Sequence, residues 1–316
     1  MYKHAIVGFS VNPELELAVE DTPGPKKVLR KIDFCLSGSS GNVAMALKKM
    51  GSTPRLLGLT GPGFVVPGCH ETLADHLLCE AVDQSEIRFM SIKALTQTNI
   101  CVIPVIGQDN GVSWGKRNRI VHSDIPGALE DIYRVWDILK AGEVDVESTF
   151  SIVTGLRAVE VVFAKALLSK ARFGFRVLNA KDTLCRSREF KKVLPLVDLL
   201  VLNKREFDET GKTLSELHNH GPRIIVVTHD KKGGMFSFRW ACCQFKAINF
   251  PGGKFETGAG DWFLGALVSE LMRLQVSVST VTKEEFQGAV DFAARVAGKK
   301  ITMAGGGNGP TRAQLR

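Results

Sequence analysis

From residue 149 onward the chain alternates short apolar runs rich in β-branched residues with stretches of helical periodicity, and that rhythm leaves few folds open. Residues 149–154, 175–179, 197–203 and 223–228 read as strands, and 158–171, 187–194 and 206–219 read as the helices between them. Strands that recur with an intervening helix pair in parallel, because a parallel return needs a crossover, and the helices then cover both faces of the sheet. Ligands of such sheets lie beyond the carboxyl ends of the strands. The same sheet accommodates a strand at 5–11, a helix at 41–50 and a strand at 54–60. Two segments break the rhythm. Residues 15–36 and 87–122 alternate polar and apolar positions, with turns at 21–25 and 108–111. Alternation marks strands with one wet face, so both segments are predicted to pair into a small sheet standing over the main one as a lid. The 316 residues, 44% of them hydrophobic, suit one α/β domain spanning 1–316 with this inserted lobe.

The chemistry is concentrated in Thr257-Gly258-Ala259-Gly260-Asp261, which follows the turn Pro251-Gly252-Gly253 and opens a helix predicted over 262–274. Backbone N–H groups at a helix start lack intrahelical partners, and the helix dipole adds about half a positive charge there. Gly258, Ala259 and Gly260 therefore form a cradle for a transferring phosphoryl group, with Asp261 placed to take a proton from an attacking hydroxyl. A second small-residue stretch, Ser37-Gly38-Ser39-Ser40-Gly41-Asn42-Val43-Ala44, enters another helix. It lets a polyol approach the backbone, and Asn42 offers both donors and an acceptor to hydroxyls.

Competing motifs fail on local grounds. Gly211-Lys212-Thr213 imitates the end of a P-loop, but the position of its first glycine is Glu206 and Phe207 would block backbone approach to a phosphate; Gly211 reads instead as a helix C-cap. No G-x-G-x-x-G follows a strand, which argues against a nicotinamide dehydrogenase. The formal charge of +8 comes from scattered Lys and Arg residues accompanied by acids rather than from a basic arm, a pattern that excludes nucleic acid as the expected partner. Seven cysteines form no C-x-x-C and no zinc spacing, as in a reduced, cytoplasmic chain. No apolar run is long enough to span a membrane.

Taken together, the stretches 37–44 and 257–261 resemble the N- and C-terminal signatures of the ribokinase-like (PfkB) carbohydrate kinase family. Between them Asn203-Lys204-Arg205-Glu206 is similar to that family's Asn-x-x-Glu motif, and Val226-Val227-Thr228 with Gly233-Gly234 falls where the family has a nucleotide-binding strand and turn. The resemblance implies a three-layer α/β sandwich with a β-sheet lid, and transfer of the γ-phosphoryl group of ATP to a hydroxyl of a sugar or sugar phosphate. It further implies Asp261 as base, Gly38, Ser39 and Asn42 against the substrate, and Asn203 and Glu206 organising Mg²⁺ through water near the ATP phosphates. Thr228 and Gly233 would lie near the nucleotide. The loop 304–310, with Gly305, would pass the adenine and help bind a monovalent cation such as K⁺. A homodimer through the lid is also implied.

Asn12-Pro13-Glu14-Leu15-Glu16 and Thr96-Gln97-Thr98-Asn99-Ile100 resemble the phosphosugar branch of that family, which includes 1-phosphofructokinases and tagatose-6-phosphate kinases. Asn12 and Asn99 would then face the sugar, and spacing assigns its hydroxyls to Glu16, with Glu14 the alternative. The chain also departs from its relatives. Ser39 and Ser40 stand where that branch has a lysine, and Gln97 where it has an arginine; losing two cations weakens recognition of a dianion. Asp230 replaces a glycine of the nucleotide turn, and Trp262 follows the base, either packing behind the helix or narrowing the pocket. An unphosphorylated sugar, a nucleoside, or a non-catalytic nucleotide-binding role therefore stay open.

Overall fold

The computed structural model describes residues 4–19, 29–61, 73–93, 95, 100–106, 109–110, 114–116, 125–141, 149–169 and 175–315. In chain order the elements are β1 (His4–Phe9), β2 (Asn12–Val19), β3 (Leu29–Ser37), α1 (Gly38–Lys49), β4 (Thr53–Thr60), α2 (Leu73–Ser85), β5 (Arg88–Lys93), β6 (Ile100–Ile106), β7 (Asp109–Asn110), β8 (Trp114–Lys116), α3 (Ile125–Ala141) and β9 (Thr149–Leu156). They continue with α4 (Val161–Ser169), β10 (Arg176–Ala180), α5 (Asp182–Cys185), α6 (Arg188–Val193), β11 (Leu199–Asn203), α7 (Lys204–Glu209), α8 (Leu214–Asn219), β12 (Ile224–Thr228), β13 (Gly234–Phe238), β14 (Ala241–Phe245), α9 (Ala259–Leu274) and α10 (Lys283–Lys300).

Nine strands form the main sheet in the order β14-β13-β12-β11-β10-β9-β1-β4-β5, and β13 alone runs against the rest. The chain leaves β1 toward β4 and β5 on one side, then returns to β9 on the other. The carboxyl ends of β1 and β9 thus flank the switch point at which open α/β sheets bind ligands. Successive residues of the central strands feed opposite cores. Ala5 and Val7, Leu199 and Val201, and Ile224 and Val226 pack on one face with α1, α9 and α10. Ile6, Leu200 and Leu202, and Ile225 and Val227 pack on the other face with α4 and α6. This burial on both faces explains why these strands read as continuous apolar runs. Each such fully buried Leu, Ile or Val contributes about 1.5–3 kcal/mol of transfer free energy.

One contact decides where the two sequence-distant signatures meet. Gly265 of α9 lies against α1, where a β-carbon would stand 2.5 Å from Ala46 Cβ and 2.9 Å from the Val43 carbonyl. Only glycine allows the helices to approach so closely, and the approach brings residue 42 to residue 261.

The second sheet has the order β3-β2-β6-β7, with β8 also paired to β6. It is built from the two segments expected to form the lid, with one correction. Residues 88–93 do not join it: β5 pairs in parallel with β4, from Arg55 opposite Arg88 to Thr60 opposite Lys93, at the edge of the main sheet. An edge strand with a partly open face alternates as a lid strand does, so pattern alone could not separate them. The predicted helix 206–219 is two helices. Gly211 takes a left-handed φ of 60° after α7, and Thr213 caps α8 by accepting the Glu216 N–H. α1 begins at Gly38, earlier than the expected 41, so the small-residue stretch forms its first turns.

Candidate active site

α9 starts at the carboxyl edge of the main sheet. Gly258 adopts φ 80° at its N-cap, and Asp261 falls in its first turn, 8% exposed. Asn42 Nδ2 of α1 donates to Asp261 Oδ2 at 2.9 Å. Behind Asn42, the Ser37 hydroxyl lies 3.1 Å from Asn42 Oδ1 and 2.6 Å from Glu14 Oε2; its single proton serves the shorter contact. The other Glu14 oxygen accepts the Gly306 N–H at 2.7 Å. Glu14, from the second sheet, thus ties together β2, the start of α1 and the glycine-rich stretch 304–309, and it is 2% exposed. Asn12 and Glu16 lie on the same strand. Asn99 lies outside the described residues, as does Gln97.

Burial pushes the Asp261 carboxyl above the ordinary aspartate value, while Lys181, the Asn42 amide and the Ser39 hydroxyl pull it back toward the charged form. A carboxylate held this way is a better proton acceptor than a solvated one, because its conjugate acid is less disfavoured. Lys181 was not singled out by any motif. It follows the last residue of β10, and its Nζ stands 4.0 Å from Asp261 Oδ1 and 4.0 Å from Glu206 Oε1. A lysine just beyond the carboxyl end of a predicted parallel strand was the only available signal.

Asn203 and Glu206 form a capping box at the start of α7. Asn203 Oδ1 accepts the Glu206 N–H at 2.8 Å, and Glu206 Oε2 accepts the Asn203 N–H at 2.8 Å. The pair is therefore structural in part, yet Glu206 is 2% exposed rather than solvated. Among the described residues no group of three or more His, Cys, Asp or Glu side chains is arranged around a metal. A single carboxylate contributed by Glu206 fits Mg²⁺, which keeps most of its waters and takes one or two carboxylates together with substrate phosphates.

Beside the start of α9 is a cavity of about 190 Å³, lined among others by Thr228, Asp230, Gly233, Ala259, Gly260 and Gly298. It exceeds the ~150 Å³ that accommodates a benzene ring in an engineered core, so a planar heterocycle has room. Asp230 does line this cavity, and its φ of 47° is the left-handed conformation that a glycine would otherwise supply. Across the cavity rim Lys231 pairs with Glu256 at 3.0 Å. Gly305 is not among the lining residues. The stretch it begins turns the other way, toward Glu14 and Trp262. Trp262 packs behind the helix rather than into the pocket: it is fully buried, and its Nε1 donates to the Gly306 carbonyl at 2.9 Å. The cradle also differs from expectation, because the Ala259 N–H already donates to the Glu256 carbonyl at 3.1 Å. The amides of Gly258 and Gly260 have no such partner among the described residues.

The arrangement is therefore a buried carboxylate on a helix start, a hydroxyl- and amide-bearing wall from α1, a cation between two carboxylates, and a cavity with room for a flat ring next door. The profile of pfkB family carbohydrate kinases matches residues 10–313. No curated protein matches the sequence. Among solved structures, a ribokinase from Giardia lamblia superposes with a TM-score of 0.72 at 16% identity, covering 100% of this chain and 98% of that one. Phosphofructokinase-2 from Escherichia coli in complex with potassium gives 0.71 at 13% identity, covering 100% and 97%. A Burkholderia thailandensis nucleoside kinase in complex with inosine gives 0.65 at 18% identity, covering 99% and 96%. At such identities the likeness establishes the ribokinase-like fold. No helix among the described residues is long and apolar enough to cross a membrane.

Proposed function

We propose that this chain, which belongs to the pfkB family of carbohydrate kinases, is an ATP-dependent kinase that phosphorylates a hydroxyl of a sugar or sugar phosphate with Asp261 as general base. The observation that carries the reading is the meeting of Asp261 with Asn42, from helices 219 residues apart in sequence, beside a cavity with room for a nucleobase. The acceptor oxygen bonds to the γ-phosphorus as its proton passes to Asp261 Oδ1 or Oδ2, and the bond from that phosphorus to the β,γ-bridging oxygen breaks, leaving its electron pair on ADP. Asn42 and Ser39 hold the carboxylate toward the acceptor. Gly258 and Gly260 present their amides to the phosphoryl oxygens, where charge develops. Thr228, Gly233 and the α10 wall at Gly298 bind the base and ribose side of the nucleotide. Glu206 would hold Mg²⁺ through its waters, with Asn203 fixing the carboxylate; when bound, the ion neutralises charge on the β- and γ-phosphates.

A nucleoside is the second reading for the acceptor. It is favoured by the wall that α1 presents: Ser39 brings a hydroxyl where a phosphate would want a cation, and Ser40 brings no charge either, its hydroxyl being buried against the Thr154 carbonyl at 3.4 Å. ADP release measured with MgATP and a panel of ribose, fructose, fructose 6-phosphate, tagatose 6-phosphate, adenosine and inosine separates the readings. With the best acceptor, Asp261→Asn should lower kcat at least about a hundredfold. Turnover of no acceptor by the wild type, or near-normal turnover by the variant, would overturn the assignment.

A further inference from the structure

The site contains a cation that the two signatures do not supply. Lys181 is fixed at its backbone, whose carbonyl accepts the N–H groups of Leu184 at 2.8 Å and Cys185 at 3.0 Å. Its side chain is 34% exposed and reaches back over the carboxyl end of β10 into the cleft. The ammonium stands 4.0 Å from each of two carboxylates that lie on opposite sides of the proposed reaction: Glu206 toward the nucleotide phosphates, Asp261 toward the acceptor. Both distances exceed the 2.7–2.9 Å of a charge-assisted N–H···O bond. The ammonium is thus attracted by both carboxylates and locked to neither, while the buried carboxylates are already hydrogen-bonded to Asn203 N and Asn42 Nδ2. A group passing from the nucleotide to the acceptor must cross the space between Glu206 and Asp261, and in phosphoryl transfer the charge to be neutralised lies on its three equatorial oxygens.

We propose that Lys181 is a catalytic residue, its ammonium binding the equatorial oxygens of the phosphoryl group during transfer. Its ammonium is counterion to Glu206 and Asp261; when the γ-phosphate enters, it exchanges carboxylate contacts for phosphoryl oxygens. The inference rests on the kinase reading above. It assigns the role to the residue that follows β10 rather than to α1, whose first turns bring only hydroxyls and an amide. No proton moves to or from Lys181, so the balance of the transfer step is unchanged.

The test compares wild type, Lys181→Met, Lys181→Gln and Lys181→Arg by kcat against pH with the best acceptor of the panel, MgADP affinity by calorimetry, and thermal melting. At the alkaline plateau, where Asp261 is ionised in every variant, the two neutral variants should lose about 10²- to 10³-fold in kcat, the usual cost of removing one donor to a transition-state oxyanion. MgADP lacks the γ-phosphoryl group, so its Kd should stay within about threefold, and Lys181→Arg should recover most of the loss. If one neutral variant fails to fold, the other carries the measurement. A wild type that turns over an acceptor alongside folded neutral variants whose plateau kcat stays within about threefold overturns the role of Lys181 alone. A loss confined to acid pH would also overturn it, because Lys181 would then act only through the ionisation of Asp261. A wild type with no turnover overturns the kinase reading and this inference with it.

Discussion

Replacing Asn42 with leucine isolates the support that α1 gives to Asp261, the proposed base. Leucine keeps the branching and heavy-atom count of the asparagine side chain but is bulkier and has no amide, so the change deletes the 2.9 Å bond from Nδ2 to Asp261 Oδ2 without opening a cavity. The Ser37 hydroxyl lies 3.1 Å from the lost carbonyl and keeps its 2.6 Å contact with Glu14, so the damage falls chiefly on Asp261. A hydrogen bond to an ionised group contributes about 1.5–3 kcal/mol, and one pKa unit corresponds to about 1.4 kcal/mol. Loss of the bond therefore moves the acid limb of kcat upward by about one to two pH units, adding to the upward push of burial. The alkaline plateau should fall much less, since Lys181 and Ser39 still favour the charged carboxylate. Below the wild-type limb the rate should drop by about ten- to a hundredfold. The assay is ADP release from pH 5 to 9 with saturating MgATP and acceptor, with melting curves to confirm folding. An acid limb that overlays the wild type's would refute the argument. A uniform loss at all pH values would show that Asn42 serves the substrate instead of the base.

Asp261→Asn has a second, thermodynamic consequence. The folded state raises the Asp261 pKa, chiefly through burial, so folding favours the protonated acid. Its favourable contribution is fully present below the unfolded value of about 3.9 and is lost as pH rises through the folded value. Asparagine lacks this dependence, so the variant should melt higher than the wild type at neutral pH, with the gap closing toward pH 4; a gap that widens on acidification contradicts the burial argument. Gly265→Ala sets two effects against each other. Alanine favours a helix by about 1 kcal/mol over glycine, but its β-carbon would lie 2.5 Å from Ala46 Cβ and 2.9 Å from the Val43 carbonyl. Overpacking against a backbone atom costs about 1–3 kcal/mol, so the melting temperature should fall by a few degrees and kcat should fall with it as α1 moves from α9. A more stable and fully active variant would show that the helices can part without cost.

The elements that were legible in the sequence are those with local causes. The strands β9 to β12 announce themselves because burial on both faces leaves continuous apolar runs, and the helix start at 258–261 because small residues and a carboxylate are what such a start requires. Asp261 and Asn42 could each be nominated from their own neighbourhoods. Strand 88–93 could not be placed, because the edge of the main sheet and a lid strand impose the same alternation. Nor could spacing reveal that it is Glu14 which reaches Gly306, since that contact depends on the path of a segment 292 residues further along.

Lys181 marks the boundary most clearly. Nothing around Asn179-Ala180-Lys181-Asp182 distinguishes it from a solvated lysine, and its partners lie 25 and 80 residues away in the chain. The sequence by itself determined the layered sheet and the helix start that carries Asp261, because periodicity and capping act over a few residues. The tertiary structure alone decided which distant groups converge on that carboxylate and which glycine lets two helices close on it. Electrostatic and packing energies depend on separation in space, which local pattern does not encode.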